Sequence, residues 1–264
     1  MLDLLFFITS FVVLWKSSDL FVDSSHSLAI HLKMPPILIG ATVVAFGTSA
    51  PELFVTIFAA LKNESNVVYG NVLGSNIANI FLIFGLSLIL KNLSLTSQFR
   101  EQLKLNLISL LLISMSVFFL VPSRLIALLL LIIFFIVQVR LLKKNGQDSS
   151  AMPQLSFRLS ILLFFVSLVF LIGSSRLLVS SLLSVATFLG MSTTFLSLFA
   201  VAFGTSLPEL VTTITFVRKN HIDIVIGNVF GSNFFNLLFV LPISWLVLPM
   251  PKGVHFYVEI VVLL

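Results

Sequence analysis

Apolar runs long enough to cross a bilayer, roughly 20 residues each, recur along the chain and are separated by short polar joints. The runs predict helices near 2–31, 36–61, 67–90, 103–121, 124–142, 159–189, 191–217 and 222–248. The joints are Lys33 before Pro35-Pro36, Lys62-Asn63-Glu64, the tract from Lys91 to Lys104, Pro122-Ser123-Arg124 and Arg218-Lys219-Asn220-His221. Such clusters end helices and expose backbone to water. The first and sixth runs are longer and interrupted by polar residues, which predicts tilted helices. The N-terminal run has neither a basic leader nor a small-residue cleavage site, so it reads as a retained first helix rather than a signal peptide. The tract 144–157 is the one linker-like stretch, and it is too short to be a domain. The expected fold class is therefore all-α, a polytopic membrane protein.

Composition strengthens that reading. The chain is 58% hydrophobic and 9% charged, with a mean hydropathy of +1.17. Soluble domains carry about 25% charged residues, so this chain has too little polar surface to cover a globule in water. The pI near 9.8 would suggest nucleic acid in a soluble protein. Here the basic residues sit in short loops, which indicates membrane topology and no nucleic-acid partner. With no cysteine, disulfides and thiolate metal sites are excluded.

The strongest pattern is internal. Residues 44–79 and 201–236 are one segment written twice, 157 positions apart, identical at 21 of 36 positions without a gap. Each copy carries Gly-Thr-Ser-x-Pro-Glu, ending on Glu52 or Glu209, and then Gly-Asn-x-x-Gly-Ser-Asn-x-x-Asn. A repeated, proline-interrupted apolar segment with an acid at its centre is the mark of a transporter's ion site.

Lys and Arg counts orient the chain. Placing the N-terminus on one side leaves Lys62, Arg124 and Lys252 in that side's loops. The other side holds Lys33, Lys91, Arg100, Lys104, Arg140, Lys143, Lys144, Arg158, Arg218 and Lys219. The positive-inside rule then puts the N-terminus outside and the central linker in the cytoplasm. Five crossings separate Glu52 from Glu209. That odd number makes the two copies inverted, with five helices expected per repeat.

Pro51 and Pro208 lack an N–H and should free carbonyls around Gly47-Thr48 and Gly204-Thr205. Freed carbonyls at membrane depth must face protein, water or an ion. Asn71, Ser75 and Asn79 share a helix stripe at every fourth residue, and Asn228, Ser232 and Asn236 repeat it. Gly70 and Gly74, like Gly227 and Gly231, form small-xxx-small pairs expected to let helices approach. The collected donors are all oxygen, two of them carboxylates. Ca²⁺ and Na⁺ suit that set, whereas zinc or copper would want nitrogen or sulfur. Two carboxylates balance one Ca²⁺, and several Na⁺ could compete for the same oxygens. For the glutamates the bland alternative is a structural acid paired with a lysine. For the Asn and Ser stripes it is hydrogen-bond glue between helices. For Asp19 and Asp23 a solvated or ion-paired helix end is the favoured reading over a transport role.

Taken together, the paired motifs resemble the α-repeats of the sodium/calcium exchangers, within the calcium:cation antiporter superfamily, and the resemblance covers essentially the whole chain. It implies inverted five-helix halves at 1–143 and 158–264, joined by the cytoplasmic linker 144–157. It also implies a bacterial-type inner-membrane antiporter, not an enzyme, that needs no cofactor and uses Ca²⁺ and Na⁺ as transported ions. By resemblance, Ca²⁺ is held by Glu52, Glu209 and the carbonyls of Thr48 and Thr205. Sodium sites would add Ser49, Ser75, Asn79, Ser206, Ser232 and Asn236, with carbonyls of Ala45 and Ala202. Some family members carry Asp where this chain has Asn79 or Asn236, so a potassium-coupled mode is disfavoured. A Ca²⁺/H⁺ antiporter of the same superfamily stays open as an alternative.

The 157-residue register pairs Leu264 with Leu107, so counterparts of positions 108–143 do not occur. The run from Val254 to Leu264 would span about 16 Å as a helix, too short to cross. This reads as a C-terminal truncation leaving a partial ninth helix, and an inactive membrane fragment is the remaining alternative. Oligomeric state is not legible.

Overall fold

The computed structural model describes residues 2–91, 97–118, 124–143, 153–188 and 193–249. It contains eight long helices, close to those the polar joints predict. They are α1 (Leu2–His31), α2 (Pro36–Thr48 continued by Ala50–Leu61), α3 (Ser65–Leu90), α4 (Ser97–Phe118), α5 (Arg124–Leu142), α6 (Phe157–Phe188), α7 (Thr193–Arg218) and α8 (Ile222–Val247). Counting bent α2 once, six are long and apolar enough to cross a membrane among the described residues. The run from Val254 to Leu264 lies outside the described residues.

α8 is the centre of the molecule. Every residue from Ile224 to Phe235 is buried, whereas α5 buries only 22% of its most apolar window and turns Leu125, Leu129 and Ile132 outward. A helix apolar on all sides belongs inside a bundle or in lipid, and here the motif-bearing helix takes the inside. Trp245 at its far end donates its indole N–H to the Tyr69 hydroxyl of α3 at 2.9 Å. α1 and α6, equivalent under the 157-residue offset, pack chiefly on each other and flank this centre.

Close backbone approach, not side-chain filling, joins α2 to α8. A Cβ built on Gly40 would lie 2.5 Å from the Ile224 carbonyl, and one on Gly231 would lie 2.5 Å from the Ala41 Cα. One on Gly227 would collide with the Ile37 carbonyl oxygen. Thus Gly227 and Gly231 pack as expected. At Gly70 and Gly74 no described atom lies within 4 Å of a built Cβ. Their offset counterparts of Ile37 to Ala41 fall at 194–198 of α7, whose side chains are outside the described set.

The proline motif acts differently in its two copies. α2 breaks at Ser49 and bends by 46°, while α7 runs through Pro208 as one helix. Proline removes one hydrogen bond and so permits a bend; packing decides whether it is used. Wider π-turns occupy Gly40–Val44, Ala78–Phe84 and Asn236–Val240. The last two recur at the same place in each repeat, and each opens on or next to a motif asparagine (Asn79, Asn236). Such turns often mark functional positions.

A polar seam ties α1 to α7. The Arg218 guanidinium stacks 4.4 Å above the Trp15 ring, and Ser18 donates to Thr215 at 2.7 Å. Lys219 pairs with Asp23 at 2.7 Å and Asp19 at 3.6 Å, so these acids are ion-paired, but to a distant helix end. His26 stacks on His221 with ring centroids 4.0 Å apart. Burial pushes the His221 imidazole down to about 4, helped by His26 and Lys219 and opposed by Asp23. As pH falls below the ordinary 6.5, the unfolded chain therefore takes up this proton before the folded one. Stability at this position is expected to decline from pH 6.5 towards about 4. His221→Phe keeps the stack and removes the proton, so melting temperatures of the variant should depend less on pH across that window. Superimposable profiles would refute the assignment.

Candidate functional site

The two copies of the motif meet inside the bundle, and they meet reciprocally. The Ser49 hydroxyl donates to Glu209 Oε1 at 2.8 Å, and Ser206 donates to Glu52 Oε1 at 3.4 Å. Thr48 Oγ1 donates to Asn228 Oδ1 at 3.3 Å, and Thr205 Oγ1 to Asn71 Oδ1 at 3.3 Å. Asn71 Nδ2 reaches Thr56 Oγ1 at 2.9 Å, and Asn228 Nδ2 reaches Thr213 Oγ1 at 3.4 Å. Asn79 Nδ2 donates to Asn233 Oδ1 at 2.9 Å, and Asn236 Nδ2 to Asn76 Oδ1 at 3.1 Å. Each second bond is the first one shifted by 157 residues. When residue i of one half meets j of the other, and the equivalents meet too, the halves are related by a two-fold axis.

Glu52 and Glu209 sit at the middle of this arrangement, 1% and 2% exposed. Each comes just after the proline of its motif, Glu52 in the first turn after the Ser49 break. Ser75 adds a second, 3.4 Å bond to Glu52 Oε1 and accepts from Ser206 at 3.3 Å. Asn71 Nδ2 also holds the Glu52 backbone carbonyl at 3.1 Å. The described ion pairs leave both glutamates out, which removes the lysine-paired reading.

What these bonds leave over is a set of oxygens. Glu52 Oε2, Glu209 Oε2, Asn79 Oδ1, Asn236 Oδ1 and Ser232 Oγ are buried and have no hydrogen-bond partner among the described residues. Buried polar atoms are normally satisfied, and carboxylate oxygens without partners are the costliest exception. Here five such oxygens belong to the two motif copies. Among the described residues no three His, Cys, Asp or Glu side chains come together to hold a metal; what the two motif copies bring together is two acids and neutral oxygens. That composition fits a hard, oxygen-seeking cation.

The structure thus brings Thr48, Ser49, Glu52, Ser75, Thr205, Ser206 and Glu209 together where the two motif copies meet, in hydrogen-bonded groups around each glutamate and its neighbouring asparagine. Asn79 is one helical turn beyond Ser75, and Ser232 and Asn236 hold the matching places on α8; all three are buried. Ala45 is buried, and its carbonyl accepts the Ser49 N–H at 3.0 Å and the Thr48 hydroxyl at 3.5 Å. Ala202 lies on α7 in a stretch whose side chains are outside the described residues. Four residues escape the sequence reading: Asn76, Asn233, Thr56 and Thr213. Asn76 and Asn233 follow Ser75 and Ser232 directly, one step off the every-fourth-residue stripe. Their signal is identity in both copies.

Comparison with known proteins follows the same lines. A family model described as "Sodium/calcium exchanger protein" matches residues 2–143 and 159–264. The inner membrane protein YrbG of Escherichia coli is 34% identical over 247 residues, covering 88% of this chain and 76% of YrbG. The sodium/calcium exchanger MaX1 of Methanosarcina acetivorans is 29% identical over 296 residues, covering 94% of this chain and 84% of its own length. Among solved structures, the sodium-calcium exchanger NCX_Mj superposes with a TM-score of 0.86 at 30% identity, over 100% of this chain and 87% of that one.

Proposed function

Because the chain belongs to the sodium/calcium exchanger family, we propose that it exchanges Ca²⁺ for Na⁺ across the membrane by alternating access at the Glu52–Glu209 site. As a family member it is an integral membrane Ca²⁺/cation antiporter. Sodium as the coupling ion, and the two-glutamate site, are the finer parts of the proposal. The observation that carries them is the set of unpartnered buried oxygens on Glu52, Glu209, Asn79, Asn236 and Ser232. Two carboxylates balance one Ca²⁺, with the Thr48 and Thr205 carbonyls beside them. Na⁺ would share the glutamate oxygens and add the neutral oxygens of Ser49, Ser75, Asn79, Ser206, Ser232 and Asn236, with the Ala45 and Ala202 carbonyls. Because the two sets overlap at the glutamates, one ion must leave before the other is fully held, and that competition couples the fluxes. Inverted halves supply the two faces, since exchanging the conformations of 1–143 and 158–264 turns the site from one side to the other. The 10-to-3 split of loop Lys and Arg supports an external N-terminus and a cytoplasmic 144–157, and the likeness to the inner membrane protein YrbG supports a bacterial inner membrane.

The test is ⁴⁵Ca²⁺ uptake into Na⁺-loaded proteoliposomes, with and without a pH gradient. Uptake should require the outward Na⁺ gradient and persist when the pH gradient is collapsed. Uptake driven by the pH gradient alone would replace Na⁺ with H⁺ as the coupling ion, and no uptake under either gradient would sink the transport reading.

A further inference from the structure

We propose that Asn76 and Asn233 are positioning residues that fix which end of the Asn236 and Asn79 amides faces the cation site. The inference rests on the ion-site reading above. An amide side chain has an acceptor end and a donor end of nearly the same shape. A cation is held by one and repelled by the other, so an asparagine ligand works only if something decides its orientation. A carboxylate has no such problem, because both ends accept.

The four asparagines supply that decision. All are buried, none more than 3% exposed. The Asn76 backbone carbonyl, which cannot flip, accepts Asn233 Nδ2 at 3.3 Å. That bond turns Asn233 Oδ1 towards Asn79, where it accepts Asn79 Nδ2 at 2.9 Å. With its donor end held, Asn79 is left presenting Oδ1, which has no partner among the described residues. The second arm runs the same way: Asn76 Oδ1 accepts Asn236 Nδ2 at 3.1 Å and leaves Asn236 Oδ1 presented. Every link crosses from one repeat to the other, so the orientation of each ligand is set by the opposite half.

The two arms are not equally anchored. Asn233 ends on a backbone carbonyl, whereas Asn76 Nδ2 has no partner among the described residues. Asn76 instead borders a cavity of about 200 Å³ shared with Asn106 and Asn233, a volume large enough for water, whose oxygen would accept from an amide N–H. The Asn233 arm is therefore fixed by the main chain, and the Asn76 arm is the less firmly anchored of the two.

The test uses the difference between an amide and a carboxylate, read on purified full-length protein as stabilisation against heat by Na⁺ and by Ca²⁺ in separate titrations. Asn233→Leu and Asn76→Leu should each raise the Na⁺ concentration for half-maximal stabilisation by about tenfold or more. Asn79→Asp added to Asn233→Leu, and Asn236→Asp added to Asn76→Leu, should restore most of the loss, because the new ligand needs no orienting. Rescue of this kind is not expected if Asn76 and Asn233 merely pack. Single variants that titrate like the wild type, or double variants no better than the singles, would overturn the positioning role while leaving the ion site intact. A wild-type protein stabilised by neither ion would overturn the ion site and this inference together.

Discussion

Replacing either central acid, as Glu52→Gln or Glu209→Gln, is expected to abolish Ca²⁺ transport in the proteoliposome assay while the purified protein stays folded. The expectation follows from charge and from what replaces it. The two carboxylates are buried to 1% and 2% exposure, with no cationic side chain paired to either. A doubly charged ion entering between them loses its water shell and regains its balance from exactly two negative charges. Gln keeps the shape, removes one charge and adds an N–H₂ donor that faces the ion or must turn from it. Removing one partner of a buried charge pair costs about 3–5 kcal/mol, which is roughly two to four orders of magnitude in occupancy. Glu64→Gln is the matched control, because Glu64 is exposed beyond the end of α2 and should transport normally. The hydrogen bonds predict a difference in severity elsewhere. Ser49 bonds Glu209 at 2.8 Å, while Glu52 shares its Oε1 between Ser75 and Ser206 at 3.4 Å each. Ser49→Ala should therefore impair transport more than Ser206→Ala, whose loss Ser75 can cover. Full Ca²⁺ transport by either Gln variant would remove the two-glutamate site.

The acids were legible because they violate their surroundings. A carboxylate inside a sequence fit for hydrocarbon, written twice in register, is visible without coordinates. The helices were legible for the same kind of reason, since polar joints such as Lys62-Asn63-Glu64 and Arg218-Lys219-Asn220-His221 interrupt an otherwise continuous apolar pattern. Pairing across the chain is a different matter. Asp19 and Asp23 read as a solvated or locally ion-paired helix end, yet their partner is Lys219, about two hundred residues away. Nothing in the period of α1 specifies that contact, because it depends on how α1 lies along α7. Asn76 and Asn233 escaped for a geometric reason: a residue directly after the stripe points about 100° away from it. In the inverted repeat that direction leads to the other half. The π-turns at Ala78–Phe84 and Asn236–Val240 are equally silent in the sequence, as is the unequal effect of Pro51 and Pro208, because each depends on how the neighbouring helices pack.

The second large effect belongs to a glycine, with Gly227→Val expected to cost both fold and transport. The α2–α8 crossing is backbone against backbone: Gly227 over Ile37 and Ala41, Gly231 over Ala41, and Gly40 over Ile224. A Cβ on Gly227 meets the Ile37 carbonyl oxygen and, at 2.9 Å, the Ala41 N. Those atoms belong to a main chain and cannot swing aside, so one helix must move. Overpacking a well-filled interior costs about 1–3 kcal/mol and can cost more. The position makes the damage functional as well as structural. α2 brings Thr48, Ser49 and Glu52 to the site, and α8 brings Asn228, Ser232 and Asn236. Pushing these helices apart lengthens the cross-repeat bond that joins Thr48 to Asn228. Gly227→Ala should show the same defect in smaller measure, since Ala carries the offending Cβ without the branched methyls. Gly173→Ala on α6 is the control, for that glycine is exposed and has no neighbour within 4 Å of a built Cβ. Melting temperatures in detergent and ⁴⁵Ca²⁺ uptake should fall together in the order Gly227→Val below Gly227→Ala below wild type, with Gly173→Ala unchanged. A Gly227→Val protein that melts and transports like the wild type would mean that this crossing does not hold the site together.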